Sequence, residues 1–286
     1  MAPRVAIGSV PLERTLEDRR VNMVSDATTP TGSARPRNLA GSQDAYFGTR
    51  AASWTDRYQS SPSFRARLYV VGQAIDEFRH DCPQARVLDF GGGTGVFSAV
   101  ASRWASFTVC VDRSLPMLTK GRADLPSMAA MLASEGFEGP LGKIARIAGD
   151  DQCVSSRHAC FDLILAIAVL EYVADAKTLL TRLTQRLDQG GMLLITVPNR
   201  TSPVRIAQRI GQPLVTRRLT TTGRLTDLSF LGLRPHGDGV PWQLAAAAAG
   251  LVVERKSAVP LGLSGVRRWF HPTLLISLRR PVDHRG

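Results

Sequence analysis

Cysteine is scarce: four residues in 286, at positions 82, 110, 153 and 160. Neither that number nor that spacing builds a disulfide scaffold, which excludes a small cross-linked secreted domain and fits a reducing compartment. Long apolar runs are also missing. No stretch approaches the roughly 18 uninterrupted apolar residues of a membrane-spanning helix. The first residues lack the basic start, apolar stretch and small-residue cleavage site of a secretory signal, so a soluble, cytoplasmic protein is expected. Lysine is rare among the cations, with Lys120, Lys143, Lys177 and Lys256 the only ones among 36 basic residues. That bias reads most simply as nucleotide composition of the source. Acidic residues thin out toward one end. From Arg200 onward thirteen Arg and one Lys face only Asp227, Asp238, Glu254 and Asp283, so about +10 of the net +12 lies in the last third. What is present is ordinary: 44% apolar and 21% charged residues exclude a disordered or collagen-like chain. The length suits one α/β domain with an appended lid or tail.

Residues 1–44 mix Pro, Ser, Thr, Gly and Arg without periodicity and read as a flexible leader. From Tyr46 the composition changes. Tyr46, Phe47, Trp54, Tyr58, Phe64, Leu68 and Tyr69 recur at spacings that predict one or two amphipathic helices over 45–82, packed on the core or closing over a ligand as a lid. Residues 83–286 then form the main domain. Arg86–Phe90 reads as a buried strand, Gly91–Gly95 as a tight loop, and Val96–Trp104 as a helix. Phe107–Asp112 is a second strand ending on a carboxylate, with Ser114 placed to cap the following helix. A third helix and strand precede Gly149, Phe161–Ala166 is a fourth strand, Asp175–Leu187 a helix, and Met192–Val197 a fifth strand. Strands that alternate with helices and lack polar alternation predict a doubly wound, mostly parallel sheet of seven strands, the last two being Leu251–Val259 and Thr273–Leu278. A basic insertion, 199–240, interrupts the alternation after the fifth strand.

Chemistry concentrates in Asp89-x-Gly91-x-Gly93-x-Gly95. Glycines between a strand and a helix let a ligand approach the backbone and permit positive φ, while the helix presents unpaired N–H groups. Dinucleotide dehydrogenases place G-x-G-x-x-G there. Here the glycine spacing is two and two, and Asp89 precedes the loop directly. A carboxylate at that point accepts from an ammonium group or orders a water, and repels a pyrophosphate. Asp112, seventeen residues after Gly95, can accept from both hydroxyls of a ribose, or cap a helix. Asp150 or Asp151 can accept from an adenine amino group, or close a turn. Together these groups spell an amino acid, a ribose and an adenine laid across the carboxyl ends of parallel strands.

With these motifs in order, the chain resembles the class I S-adenosylmethionine-dependent methyltransferases. Val87–Gly95 resembles the family's first motif, Val111–Leu118 the second, Gly149–Asp151 the third, Phe161–Val173 the fourth and Gly190–Pro198 the fifth. The resemblance implies S-adenosylmethionine as cofactor and S-adenosylhomocysteine as product. It also implies that Asp89, Gly91, Gly93 and Gly95 hold the methionine portion, Asp112 with its neighbour Arg113 the ribose, Asp150 or Asp151 the adenine, and that Ala166 offers its backbone. More narrowly, the chain is similar to small-molecule methyltransferases of quinone and magnesium-porphyrin biosynthesis. Where many quinone-pathway enzymes carry His-x-Leu-Glu-His, however, this chain has Ala168-Val-Leu-Glu-Tyr172. Val197–Arg200 and the basic stretch behind it resemble methyltransferases acting on sugars or lipid-linked glycans.

Methyl transfer from a sulfonium needs alignment and exclusion of water more than covalent help. An alcohol or phenol acceptor also benefits from a base. His236 in the insertion, His271 before the last strand, and Tyr172 after the fourth strand are the candidates, with Glu171 beside Tyr172. His80, His158 and His284 read as surface residues. Cys153, His158 and Cys160 match no usual zinc spacing, so no metal is expected. Arg205, Arg209, Arg217 and Arg218, interleaved with apolar residues, suit an anionic lipid surface, an acidic substrate or a solvated lid. The expected activity is O-methylation of a small natural-product, sugar or lipid-linked acceptor. The alternatives are a nucleic-acid methyltransferase, disfavoured by the absence of a base-clamping Asn-Pro-Pro-Tyr motif, a non-catalytic cofactor-binding partner, and a dehydrogenase.

Overall fold

The computed structural model describes residues 46–150, 153, 160–173, 175–199, 201–203, 206, 242–260 and 271–282. The leader 1–44, Asp151, His158, His236 and His284 lie outside these residues, as do Arg205, Arg209, Arg217, Arg218 and most of the insertion.

Seven strands form one sheet in the order β3-β2-β1-β4-β5-β7-β6. They are β1 (Arg86–Phe90), β2 (Phe107–Asp112), β3 (Ile144–Ala148), β4 (Phe161–Ala166), β5 (Leu187–Pro198), β6 (Val252–Val259) and β7 (Thr273–Arg279). The first five are parallel, and β7 runs antiparallel to both β5 and β6. Chain order reverses between β1 and β4. Crossovers leave that junction in opposite directions, opening a crevice at its carboxyl end where ligands of open α/β sheets bind.

Helices cover both faces. Helix α1 (Pro62–Asp81) starts with proline at its first turn and buries Leu68, Val71, Gly72, Ile75 and Phe78, a stripe at three- and four-residue spacing. It packs with α2 (Val96–Ser102) and α4 (Leu125–Ser134) on the face that carries Val87, Leu163, Leu165 and Leu194. Gly72 is where Phe137 seats its ring: a β-carbon there would stand 2.3 Å from the ring edge. Helix α3 (Leu115–Ala123) is capped by Ser114, whose hydroxyl accepts from Met117 N, as its sequence position predicts. On the opposite face, α5 (Ala176–Arg186), capped by Asp175, and α6 (Trp242–Ala248) cover Leu88, Val109, Val111, Ile164, Leu193 and Ile195.

Two predicted boundaries shift by more than one residue. The helix after the glycine loop stops at Ser102, and β5 begins at Leu187, earlier than Met192, because Leu187 already pairs with Phe161 of β4. At the amino ends of the strands, Arg86 bridges Asp162 and Asp188 at 2.9 Å each, tying β1, β4 and β5 together away from the crevice.

Candidate cofactor and acceptor site

Alternation along β1 decides what the crevice contains. Val87 and Asp89 point to the α2 face, Leu88 and Phe90 to the other. Asp89 is therefore buried under the first turn of α2. Its Oδ2 accepts from Ser98 N at 3.0 Å and Ser98 Oγ at 2.6 Å, while its Oδ1 is buried and meets no hydrogen-bond partner among the described residues. Burial pushes this carboxyl up to about 6; the Ser98 hydrogen bonds oppose the rise, Asp112 adds to it, and Arg146 counters it.

The loop that follows folds back on β2. Gly91 N and Gly92 N both donate to Val111 O, at 2.7 and 3.2 Å, and Gly95 N donates to Gly92 O at 2.8 Å. Gly91, Gly93 and Gly95 have φ of 68°, 59° and 79°, the left-handed region open to glycine. The neighbours are equally restrictive. A β-carbon at Gly91 would meet Val169 Cγ2 at 2.5 Å, and one at Gly95 would meet an Arg146 guanidinium nitrogen at 2.5 Å. Asp112 joins the loop to β2: Oδ2 accepts from Gly93 N at 2.7 Å and Oδ1 from Ser114 N at 2.8 Å. These bonds orient the Asp112 carboxylate at the edge of the loop.

Among the described residues, the other predicted cofactor positions lie on the same edge. Asp150 follows β3 and is exposed, Arg113 is exposed beside Asp112, and Ala166 closes β4 fully buried. Just beyond β4 the backbone turns through Ala168, which has φ of 58°. That left-handed conformation costs a non-glycine residue on the order of 1 kcal/mol or more. It is held by a 2.7 Å bond from Ala168 N to Thr196 Oγ1 of β5.

Over the loop stands an aromatic chain. Phe47 packs edge-on against Trp54 at 5.7 Å and against Tyr172 at 5.4 Å. Trp54 Nε1 comes within 3.9 Å of the β-carbon position of Gly93. Trp54 and Tyr58 both pack on Phe64, and Tyr58 also on Phe97 of α2. Burial pushes the Tyr58 phenol up to about 12, which keeps it neutral. Of the stretch 45–82, predicted as one or two amphipathic helices, Pro62–Asp81 forms one long helix, while 46–60 consists of short helical pieces and turns that carry these rings over the loop.

His271 lies at the entry to β7, beside the carboxyl end of β5. Asn199 frames it, donating from Nδ2 to His271 O at 2.8 Å and from its backbone N to Pro272 O at 2.8 Å. The side chain is buried and Nδ1 meets no hydrogen-bond partner among the described residues. His80 is exposed at the far end of α1, as expected of a surface residue.

Sequence reasoning missed Ser98, Cys110, Arg146, Thr196 and Asn199. Arg146 carried a signal, a lone cation inside the apolar strand Ile-Ala-Arg-Ile-Ala. Gly92 was passed over as a spacer, yet a β-carbon there would meet Asp89 Oδ2 at 2.6 Å and Cys110 Sγ at 2.7 Å.

A glycine cradle, a buried carboxylate oxygen without a partner among the described residues and an oriented second carboxylate fit an amino acid joined to a nucleoside. Comparison with known proteins agrees: the family described as Methyltransferase domain matches residues 63–239, more than half of the chain. The chain belongs to the class I S-adenosylmethionine-dependent methyltransferases. It is 28% identical over 204 residues to a ubiquinone biosynthesis O-methyltransferase of Caulobacter sp., covering 68% of this chain and 75% of that one. Among solved structures, magnesium protoporphyrin IX methyltransferase (ChlM) from Synechocystis with bound S-adenosylhomocysteine matches with TM-score 0.58 at 15% identity, over 85% of this chain and 99% of that one. The N-methyltransferase NodS from Bradyrhizobium japonicum, in complex with the same product, matches with TM-score 0.54 at 15% identity, over 84% and 97%. At such identities these likenesses speak for the fold. The methyltransferase uses S-adenosylmethionine, which sets aside the dehydrogenase alternative. No described helix is long and apolar enough to cross a membrane.

Proposed function

We propose that this methyltransferase methylates a hydroxyl oxygen of a small-molecule acceptor, with His271 as the proton-accepting group. The observation that carries the reading is His271 Nδ1, a buried ring nitrogen that meets no hydrogen-bond partner among the described residues, next to the carboxyl end of β5. Burying such a group unsatisfied costs about 1–3 kcal/mol, a cost that an acceptor hydroxyl would remove. The name of the Caulobacter relative, an O-methyltransferase, supports the same choice of atom.

Bound S-adenosylmethionine supplies an electrophilic methyl group on its sulfonium. Asp89 Oδ1 holds the ammonium end, the loop Gly91–Gly95 admits the chain close to the backbone, Asp112 receives the ribose hydroxyls, Asp150 lies toward the adenine, and Ala166 contributes its backbone. Phe47, Trp54 and Tyr172 keep water from the reacting atoms. His271 takes the acceptor's hydroxyl proton at Nδ1, and Asn199 fixes the backbone that carries it. Sugar, natural-product and lipid-linked alcohols all fit this chemistry, and the arginines of 199–240 suit an acceptor with an acidic group. His236 is the other histidine for the proton-accepting role.

The test is a matched acceptor screen. The purified chain is incubated with S-adenosylmethionine and scaffold pairs that differ only in hydroxyl or amine, and the methylated atom is located by mass spectrometry. Oxygen methylation is expected, with kcat lowered about 100-fold in His271→Gln and S-adenosylhomocysteine affinity unchanged. Methylation confined to the amine partner would overturn the choice of oxygen. Unchanged turnover in His271→Gln together with loss in His236→Gln would move the base to the insertion.

A further inference from the structure

Three residues stand in register across the sheet. Asp89 of β1 pairs with Cys110 of β2, and Cys110 pairs with Arg146 of β3. Alternation directs all three side chains to the α2 face, so a carboxylate, a thiol and a guanidinium line up beneath the glycine loop. The guanidinium reaches past the sheet to two backbone carbonyls: one terminal nitrogen donates to Thr94 O at 3.4 Å, the other to Gly121 O at 3.2 Å. Thr94 belongs to the loop and Gly121 to the last turn of α3. The two segments approach so closely that a β-carbon at Gly121 would stand 1.9 Å from Thr94 O, and Gly95 has no room for one because the guanidinium occupies the space. A cation at a helix carboxyl terminus is favourably placed.

We propose that Arg146 is a positioning residue for the cofactor: it clamps the glycine loop to α3 and sets a guanidinium on the sheet face that carries Asp89, the residue that receives the ligand ammonium group. The inference rests on the assignment of Asp89 to that ammonium. Ser98 of α2 donates two hydrogen bonds, Asp112 at the end of β2 repels, and Tyr58 beside Arg67 approaches from the N-terminal turns. Burial pushes both Cys110 and Tyr58 up to about 12, so each stays neutral in the physiological range. Arg146 is the cation among the groups acting on the Asp89 carboxyl, which itself sits at about 6, within reach of neutrality.

The experiment is calorimetric titration with S-adenosylhomocysteine from pH 5.5 to 8.5 on the full chain and its Arg146→Met, Arg146→Lys and Asp89→Asn variants. Native affinity is expected to level off above about pH 6 and to fall below it. In Arg146→Met the inflection rises by a fraction of a pH unit, since Arg146 acts on the Asp89 carboxyl more weakly than burial, Ser98 or Asp112. That rise alone weakens binding about twofold at pH 6 and leaves it nearly unchanged at pH 8, on top of a uniform loss from the loosened loop. Arg146→Lys restores the inflection and keeps the uniform loss, because an ammonium does not fork across two carbonyls. If Arg146→Met keeps the native affinity and inflection while Asp89→Asn weakens binding about 30-fold or more, the role of Arg146 is refuted and the Asp89 assignment stands; a uniform loss at the native inflection supports the clamp and refutes the charge role. If Asp89→Asn keeps the native affinity and inflection, the Asp89 assignment falls and this proposal with it. Should Arg146→Met fail to fold, Arg146→Lys decides: a uniform loss at the native inflection supports the clamp, and native affinity throughout overturns it.

Discussion

Replacing Asp89 by asparagine is expected to strengthen the fold while destroying the cofactor site. The carboxyl is buried, one of its oxygens has no partner among the described residues, and its pKa rises from the usual 3.8 to about 6. That gap corresponds to about 3 kcal/mol of differential stability. The sign follows from proton counting: between pH 4 and 6 the folded chain holds a proton on Asp89 that the unfolded chain has released. Stability present below about pH 4 is therefore lost as pH rises to about 6, and the deficit stays level above that. Asparagine keeps an oxygen to accept from Ser98 and carries no charge to bury. Urea unfolding at pH 4 and pH 7.5 isolates the effect, since the difference between variant and native cancels every other titrating group. The variant's advantage is expected to grow by up to about 3 kcal/mol from the lower pH to the higher. Affinity for S-adenosylhomocysteine falls by about 30-fold or more, the worth of one charge-assisted hydrogen bond in a buried site. An advantage that stays constant between the two pH values, or that shrinks, would refute the claim that the native chain buries an ionised carboxylate for its ligand.

Three further outcomes follow from the same geometry. Asp112→Ala removes the acceptor for Gly93 N and Ser114 N along with the ribose contact, and is expected to weaken S-adenosylhomocysteine binding about 100-fold by calorimetry; retained affinity would place the ribose elsewhere. Gly121→Ala drives a methyl group onto Thr94 O and is expected to lower unfolding free energy by about 3 kcal/mol in urea, whereas native stability would contradict the close approach of α3 to the loop. Thr196→Val leaves Ala168 N without its acceptor behind a left-handed residue, at about 1–3 kcal/mol. Its KM for S-adenosylmethionine should rise as the turn after β4 relaxes, and an unchanged KM would detach that turn from the site.

The sequence by itself determined the layered fold and half of the site. Apolar runs too continuous for one-sided strands, each followed by a helix with a cap such as Ser114 or Asp175, are local signals, and parallel strands buried on both faces leave few other arrangements. Asp89, the glycines and Asp112 were legible because they lie close along the chain and their spacing is itself the chemistry. Tertiary structure decided what no spacing encodes. The pairing of β1 with β2 and of β2 with β3 brings Asp89, Cys110 and Arg146 into line from positions 57 residues apart at the extremes. Packing of Phe47 on Tyr172 and of Asn199 on His271 likewise joins segments that are remote in sequence. Whether a given Asp is a cap or a ligand, and whether a given Gly is a spacer or the sole residue that fits, depends on atoms contributed from elsewhere in the chain. Gly92 against Cys110 and Gly95 against Arg146 are constrained by such neighbours, and close packing across the sheet is the physical reason.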